Sequence, residues 1–385
     1  MKKQIPKINC IYLLSFFSDA LFSPFLALYF SSIGIEESKK GILIALIPLF
    51  CLTGSLFYGK LSGNAKRNLL LIRVLILAQL IVMMIMGFIS DYVWLVVFTV
   101  IFALHNNTFF SFQDGFAVKV SSEENTLYAK TRVFGSVGYL LGTLIGGKFI
   151  DVAGYGTVFL IAGLIFAVVE FLYFTVKGKD EEKDNSEKIA FSRILANKIY
   201  LIYLVFYVLV LGTWSIEEAY VSLFFKNYGV STAYWGYAFA LQILMEIAVM
   251  FLVSRKKFNP HRMLLLASSL ILVRSLILSF EYAYWIKLVL NASFRGLAWG
   301  IFLSSHMETV KKILPQEQIT KAVLIFAVCS NLYVALGDYL APFVYSNLSF
   351  NALYFILSGI QVFGIGVLFL FLKKVNRSEN RLSDR

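Results

Sequence analysis

Two oppositely charged side chains stand in neighbouring apolar stretches of this sequence, at a spacing that suggests a shared role. Asp114 precedes Arg132 by eighteen residues, and a polar turn that contains Glu123 lies midway between them. If the two stretches form an antiparallel helical hairpin, both charges reach about the same depth, since each lies nine residues from the turn. A buried charge is costly, and a facing opposite charge offsets part of that cost. The spacing therefore predicts a charge pair that either binds a polar solute or only holds two helices together.

Other polar residues in the first half of the chain can complete such a site. Asp19 lies within the first apolar stretch, where it is suited to bind solute hydroxyls or a proton, or to pair with Arg73. Asn107 belongs to a polar stripe in the same stretch as Asp114. Tyr139 follows Arg132 by two helical turns and offers a ring for stacking, although most aromatic residues in such a chain only pack. We interpret these residues as candidate substrate ligands.

The second half of the chain carries its own set of intramembrane charges. Glu246 lies in the middle of an apolar stretch, and burial favours the neutral form of a carboxyl group, so this residue is a candidate proton carrier. Arg274 is its expected exchange partner, whereas Arg295 is expected to pair with either Glu246 or Glu218. Glu217 and Glu218 are adjacent, and adjacent helical residues point about 100° apart, so only one of them is expected to face a cavity.

The elements that must position these side chains are membrane helices. Of the 385 residues, 59% are hydrophobic and 15% are charged, and the mean hydropathy is +0.75. Soluble domains contain about 25% charged residues. Apolar stretches of about 20 residues recur along the whole chain and predict a polytopic membrane protein. We predict twelve spans, at residues 8–31, 41–61, 69–90, 93–118, 130–150, 156–176, 199–225, 233–254, 263–281, 284–306, 320–344 and 350–372.

The basic residues predict the orientation of these spans. The termini and the even-numbered connections contain 26 Lys and Arg residues, whereas the other face contains 5. Because basic loops remain in the cytoplasm, we expect both termini there, in the cytoplasmic membrane of a bacterium. The net charge of +12 is thereby explained by topology, without nucleic-acid binding. The first apolar stretch is followed by no small-residue cleavage site and is interpreted as a retained span.

Two similar halves compose the predicted fold. Residues 25–46 resemble residues 220–241 at a constant offset of 195, and internal repeats of half the chain length are typical of transporters. We predict an all-α membrane protein of two pseudo-symmetric six-helix bundles that can rock against each other. The N-terminal bundle comprises residues 1–176, and the C-terminal bundle comprises residues 199–375. A solvated cytoplasmic linker at 177–198 joins them, and a cytoplasmic tail follows at 376–385.

These features resemble the major facilitator superfamily, and within it the lactose permease branch of solute:proton symporters. Residues 132–139 (Arg-Val-Phe-Gly-Ser-Val-Gly-Tyr) resemble that branch's helix 5, in which the arginine binds sugar and an aromatic residue stacks on it. Asp114 stands where the branch has the acidic partner of this arginine. Residues 264–274 resemble its helix 9, whose arginine takes part in proton coupling, and Glu246 corresponds to its helix 8 carboxylate.

The chain also departs from the pattern of that family. Gly63 replaces an acidic residue in the loop after the second helix, which weakens a cytoplasmic latch. Thr143 replaces the proline of an antiporter motif, so we interpret the glycines around it as helix packing. The histidine and glutamate that handle protons on the branch's helix 10 are not evident, and Arg295 occupies that region. Coupling and galactoside specificity are therefore open.

The function predicted from the sequence is import of a small polar organic solute, of sugar, glycoside or nucleoside type, by proton symport with alternating access. The alternatives are a proton-linked exporter of amphipathic compounds and a transporter-like membrane sensor that binds solute without moving it. No phosphate loop, zinc spacing or hydrolase triad occurs, so we expect no enzyme activity and no cofactor, with the proton gradient as the energy source. Expected partners are the solute, protons and the lipid bilayer, with the protein acting as a monomer that binds no nucleic acid.

Overall fold

The computed structural model describes residues 4–177, 191–254 and 258–383, and helices make up almost all of these residues. The membrane helices are α1 (Ile5–Ser32), α2 (Glu37–Leu61), α3 (Ala65–Met86), α4 (Tyr92–Glu123), α5 (128–153), α6 (155–174), α7 (Lys198–Asn227), α8 (Thr232–Ser254), α9 (Pro260–Ser279), α10 (Tyr284–Ile313), α11 (Ile319–Asn347) and α12 (Phe350–Ser383). Their bounds agree with the predicted spans to within a few residues, apart from extensions at several ends. The predicted all-α membrane fold is thus confirmed.

Helices α5 and α6 run into each other as the single segment Tyr128–Phe174, which is interrupted at Gly154. Gly154 has φ 77° and ψ 165°, a left-handed backbone conformation that glycine adopts without steric cost. The 47 residues of this segment would extend about 70 Å as one helix, more than twice the hydrocarbon thickness of a membrane. The segment therefore supplies two spans. With it, the eleven long apolar helices of the described residues account for all twelve predicted spans.

Asparagine and aspartate side chains fix the starts of several helices. Asn64 accepts a hydrogen bond from the backbone N–H of Arg67 at the start of α3, and Asp91 accepts from Val93 and Trp94 at the start of α4. Such side chains satisfy backbone N–H groups that have no partner within the helix. The loop before α3 is also closed by Asn68, which accepts from the N–H of Gly63. Side-chain amides thus hold the loop in which an acidic residue is missing.

Two membrane helices are locally irregular. In α1 the chain passes through a 3₁₀ turn at Ser23–Phe25, where Pro24 supplies no backbone N–H for a regular helical bond. In α7 the segment Val208–Gly212 is a π-helix, which contains more residues per turn than an α-helix. Both irregularities lie in helices that carry candidate site residues, and neither was predicted.

The chain forms two compact units. The first comprises Met1–Asn185 together with Phe225–Ala240, and the second comprises Ser186–Phe224 together with Leu241–Arg385. In the first unit α1 packs along α5, and Trp235 of α8 donates its Nε1–H to the carbonyl of Pro24 at 3.0 Å. The second unit has a core rich in aromatic residues, among them Tyr200, Tyr203 and Phe326. The predicted boundary between two bundles at 177–198 stays a prediction.

The ends of the predicted linker and tail contain helix. Residues 178–190 of the linker lie outside the described residues, but Phe191–Leu195 forms a short helix, and Ile194 is buried in the core of the second unit. The C-terminal residues were expected to be a tail from 376 onward, whereas α12 continues to Ser383. Part of the segment interpreted as a solvated linker is thus packed, because Ile194 supplies an apolar anchor.

The glycines of α5 allow it to lie directly against α1, which confirms the packing interpretation of this motif. A Cβ atom at Gly142 would lie 2.6 Å from the carbonyl oxygen of Phe17 and 2.7 Å from the Cβ of Ala20. A Cβ at Gly138 would overlap the carbonyl of Leu13. Since these neighbours belong to a packed helix, they cannot move without separating α1 from α5.

Replacing Gly142 with alanine is therefore expected to destabilise the protein. Overpacking of this kind costs about 1–3 kcal/mol, which exceeds the gain of about 0.5–1 kcal/mol that alanine gives in a helix. Thermal unfolding of the purified Gly142→Ala variant in detergent should show a lower Tm. The matched control is Gly366→Ala in α12, where an added Cβ meets nothing within 4 Å. Equal Tm values for the two variants would show that the close packing of α1 and α5 is not needed.

Candidate functional site

In the first unit, Asp114 is held by two tyrosine hydroxyl groups. Tyr12 of α1 donates to Oδ1 of Asp114 at 2.6 Å, and Tyr128 at the start of α5 donates to the same oxygen at 2.8 Å. The rings of Tyr12 and Tyr128 meet edge to face, with their centroids 6.4 Å apart. Hydrogen bonds to an ionised carboxylate are the stronger kind, so these hydroxyls supply much of the stabilisation expected from a cation.

Arg132 makes a different contact from the one that its sequence position predicts. Its guanidinium carbon lies 4.4 Å from the centroid of the Phe16 ring, and Phe16 in turn stacks on Tyr12 at 5.8 Å. No ion pair among the described residues joins Arg132 to Asp114, so the predicted charge pair is not formed. Asp114 instead accepts hydrogen bonds from the two tyrosines, both at Oδ1. The half-buried guanidinium is thus held by an aromatic face and keeps its N–H donors for other oxygens.

Asp19 is buried on α1, with 7% of its surface exposed, and its Oδ1 accepts a hydrogen bond from Asn106 of α4 at 3.1 Å. The neighbouring Asn107 was chosen from the sequence, but it is exposed and does not bind Asp19. Adjacent residues of a helix point about 100° apart, and the polar stripe alone did not show which amide faces α1. Asn106 is therefore the amide that contacts Asp19, and the predicted solute-binding role of Asn107 stays a prediction.

Two further expectations about the first unit concern Arg73 and Tyr139. Arg73 pairs with Glu170 of α6 at 3.1 Å, so the suggested pairing of Arg73 with Asp19 is wrong. Tyr139 is half-buried, and its ring centroid lies 6.1 Å from that of Phe239 in α8. It follows Arg132 by seven residues on α5, which corresponds to a rise of about 10 Å. Tyr139 thus lies on the same helix as Arg132, about two turns further along.

In the second unit, Arg274 of α9 is completely buried and has three polar partners. Its Nε donates to Oδ1 of Asn291 at 2.8 Å, and its Nη1 donates to Oε2 of Glu217 at 2.8 Å. Its Nη2 forms an ion pair with Glu218 at 2.5 Å. A buried guanidinium is tolerated when its charge is paired, and here two carboxylates pair the charge while Nε and Nη1 are hydrogen-bonded.

Glu217 is the most completely bonded of these carboxylates. Its Oε1 accepts from the Ser275 hydroxyl at 2.5 Å and from the Gln361 amide at 2.9 Å, while Oε2 accepts from Arg274. Glu218 connects Arg274 to Arg295, whose Nε lies 3.0 Å from the second carboxylate oxygen. Arg295 also lies over the Trp214 ring, at 5.4 Å from the centroid. We call Arg274, Glu217, Glu218, Arg295 and Asn291 the Arg274 cluster.

The Arg274 cluster corrects one prediction and agrees with another. Glu246 does not pair with Arg274, because Glu217 and Glu218 occupy both terminal nitrogens of the guanidinium. Arg295 pairs with Glu218, one of the two partners proposed for it. Each of the adjacent glutamates contacts a different nitrogen of Arg274, and the expectation that only one of them faces a cavity stays a prediction. Glu246 itself is half-buried in α8.

The sequence analysis missed the uncharged residues that bind Asp114 in the first unit and those that complete the Arg274 cluster in the second. Tyr12 and Tyr128 bind Asp114 in the first unit, and Ser275, Asn291 and Gln361 complete the second. Each is an uncharged polar residue within a span, and only Ser275 could have been found from the sequence, because it directly follows Arg274. The other contacts depend on which faces of the helices meet. The predicted binding and proton-coupling roles of the charged residues stay predictions.

Comparison with known proteins gives a consistent picture. The MFS_1-like family matches residues 5–356. The uncharacterized transporter YwbF of Bacillus subtilis is 21% identical over 99% of this chain and 96% of its own length. The maltose permease of Geobacillus stearothermophilus is 22% identical over 94% and 93%. The multi-drug resistance efflux pump PmrA homolog of Lactococcus lactis is also 22% identical, over 90% and 88%.

A solved structure shows the same fold. The nucleoside transporter NupG superposes with a TM-score of 0.83, covering 95% of this chain and 99% of its own, at 12% sequence identity. At this identity the likeness concerns the fold alone. Together with the twelve spans, it describes a polytopic membrane protein with the architecture of solute transporters.

The buried ion pairs predict which arginine the fold depends on. Removing one partner of a buried pair costs about 3–5 kcal/mol, because the other charge is left uncompensated, whereas a partly exposed cation–π contact contributes about 0.5–1 kcal/mol. Arg274→Ala should therefore lower the Tm of the purified protein far more than Arg132→Ala. Thermal unfolding of both variants checks this order. A larger loss for Arg132→Ala would mean that the Arg274 cluster does not stabilise the second unit.

Proposed function

Because the chain belongs to the MFS_1-like family of the major facilitator superfamily, a membrane transporter family, we propose that it imports a small polar organic solute by proton symport. The solute is of sugar, glycoside or nucleoside type, and the two units alternate access to it. The observation that carries this proposal is the contrast between two arginines. Arg132 rests on an aromatic ring with its donors directed to no carboxylate of the described residues, whereas Arg274 is closed in by carboxylates.

The proposed solute site lies in the first unit. The Arg132 guanidinium donates to solute oxygens, and Phe16 beneath it keeps the group in place. Asp114, oriented by two tyrosine hydroxyls, accepts from solute hydroxyls through its remaining lone pairs. Asp19 and Asn107 on neighbouring helices supply further polar contacts, and Tyr139 stacks on a ring of the solute. A guanidinium, carboxylates and aromatic rings together suit a polyhydroxylated ring compound.

Proton coupling belongs to the second unit in this proposal. Arg274, Glu218, Arg295 and Glu246 were predicted for this role, and Glu217 joins them because it contacts Arg274 directly. Protonating a glutamate of the Arg274 cluster removes one negative partner from a buried guanidinium, which must then redistribute among the remaining acceptors. Such an exchange changes which helices are held together. It thereby links proton binding to rearrangement of α7, α9 and α10.

The energy source in this proposal is the proton gradient, with no cofactor. The electrical part of the gradient provides about 2.3 kcal/mol per charge for each 100 mV. The protein acts as a monomer in the bacterial cytoplasmic membrane, with both termini in the cytoplasm and with solute, protons and lipid as its partners. A second candidate is proton-linked export of amphipathic compounds. It is supported by the similarity to the efflux pump PmrA homolog.

Transport in proteoliposomes tests the proposal. Radiolabelled maltose and uridine are offered outside in acidic buffer, and we expect one of them to accumulate inside until a protonophore collapses the gradient. Arg132→Ala should weaken uptake by about ten- to a hundredfold, since a charge-assisted hydrogen bond contributes about 1.5–3 kcal/mol. Lys130→Ala, an exposed cation two residues away, is the matched control and should transport normally.

Two results would contradict this function. If neither sugar nor nucleoside accumulates while an amphipathic dye is moved against its gradient by the wild type, the protein is an exporter. If a labelled solute binds the purified protein but does not cross the membrane, the protein is a sensor. Normal uptake by Arg132→Ala would remove this arginine from the solute site.

A further inference from the structure

A carboxyl group outside the Arg274 cluster is buried without a cation. Asp338 of α11 has only 2% of its surface exposed, and its Oδ1 has no hydrogen-bond partner among the described residues. None of the ion pairs of the described residues includes Asp338. This is unlike the other buried carboxylates discussed above, which accept hydrogen bonds from arginine, tyrosine, serine or amide groups.

The surroundings of Asp338 do not stabilise a negative charge. The phenol of Tyr220 in α7 reaches this turn of α11, but its hydroxyl donates to the backbone carbonyl of Asp338 and not to the carboxyl group. Glu217 and Glu218 lie on the same helix as Tyr220, and both are engaged by Arg274. From α12, Tyr354 donates to the backbone carbonyl of Glu217.

Tyrosines elsewhere on α11 do not alter this environment. Tyr333 shares a hydrogen bond with Thr213 at 2.8 Å, Tyr339 is exposed, and Tyr345 stacks on Phe350. An isolated carboxylate inside a membrane protein is far more costly than the neutral acid, because nothing replaces the lost hydration. This environment therefore favours the neutral acid over the carboxylate at Asp338.

Asp338 is sealed by the helix that also carries the partners of Arg274. Ile216 of α7 packs against Gly337, so closely that a side chain at residue 337 would collide with it. Ile216 and Tyr220 of α7 thus cover the Asp338 turn, while Glu217 and Glu218, between them in sequence, reach Arg274. A movement of α7 that separates it from α11 exposes Asp338 to water and at the same time strains the Arg274 cluster.

We propose that Asp338 is a second proton-binding site of this transporter, protonated while α7 covers it and deprotonated when α7 moves away from α11. Once water reaches the group, the acid releases its proton to water, and the carboxylate takes one proton from water before α7 covers it again. The inference rests on the proposed proton-coupled function and adds to it a residue that the Arg274 cluster does not include.

Infrared spectroscopy of the purified protein tests the site without any solute. The difference spectrum between the wild type and Asp338→Asn should contain the carbonyl stretching band of one protonated carboxyl group at neutral pH. Raising the pH to about 10 should reversibly remove this band. Asparagine is nearly isosteric with the neutral acid, so the variant is expected to fold. The control is Asp91→Asn, at an exposed helix cap, which should show no such band in its own difference spectrum.

A second measurement follows the same proton through stability. A group that is protonated when folded but ionised when unfolded makes the folded state bind more protons, so stability falls as pH rises. The Tm of the wild type should therefore decrease between about pH 5 and pH 8 more steeply than that of Asp338→Asn. Both measurements are independent of flux, so failure of the import proposal would leave their results unchanged.

Three outcomes would overturn the inference. Absence of the carbonyl band at neutral pH would show that Asp338 is ionised. A band that persists unchanged to high pH would show a locked structural acid and not an exchanging site. Equal pH dependence of Tm in the wild type and Asp338→Asn would show that the proton taken up on folding is bound elsewhere.

Discussion

Charged groups inside a membrane must be compensated, and the way each one is compensated determines what it can do in this protein. Water is absent from the hydrocarbon region, so a charge there needs an opposite charge, several hydrogen-bond donors or a proton. Arg274 is compensated by two carboxylates, Asp114 by two phenols, and Arg132 by the face of a ring. Ion pairs, hydrogen bonds from phenols and a cation–π contact stabilise a buried charge to very different extents. The differences separate a structural cluster from a group that remains available to a ligand.

The contrast between the two units follows from this difference in strength. In the second unit, bonded side chains from α7, α9, α10 and α12 surround one guanidinium, and removal of any charge would leave another exposed to an apolar interior. In the first unit, Asp114 is bound by neutral hydroxyls, which a solute hydroxyl can supplement without leaving a charge unpaired. A further hydroxyl at Asp114 would therefore cost little, whereas a change in the charges of the second unit would require its helices to rearrange.

The sequence predicted the spans well and the contacts between them poorly, for a physical reason. The mean hydropathy of about 20 residues changes little when the predicted ends of a span shift by a few residues. Even the two spans within Tyr128–Phe174 were therefore found. A side-chain contact depends on the rotation of each helix, where one residue changes the direction by about 100°. For this reason the sequence could not show that Asn106, and not the adjacent Asn107, bonds Asp19. The pairing of Arg274 with Glu246 failed because a nearer pair of carboxylates occupied the guanidinium.

The π-helical segment of α7 changes the directions in which this helix presents its side chains. A π turn contains one more residue than an α turn, so Val208–Gly212 shifts the faces of Thr213–Asn227 relative to those of Lys198–Tyr207. A regular 3.6-residue period therefore cannot be extended through this segment to predict the faces of Thr213–Asn227. The same shift lets one helix present carboxylates to Arg274 and also present Ile216 and Tyr220 to α11.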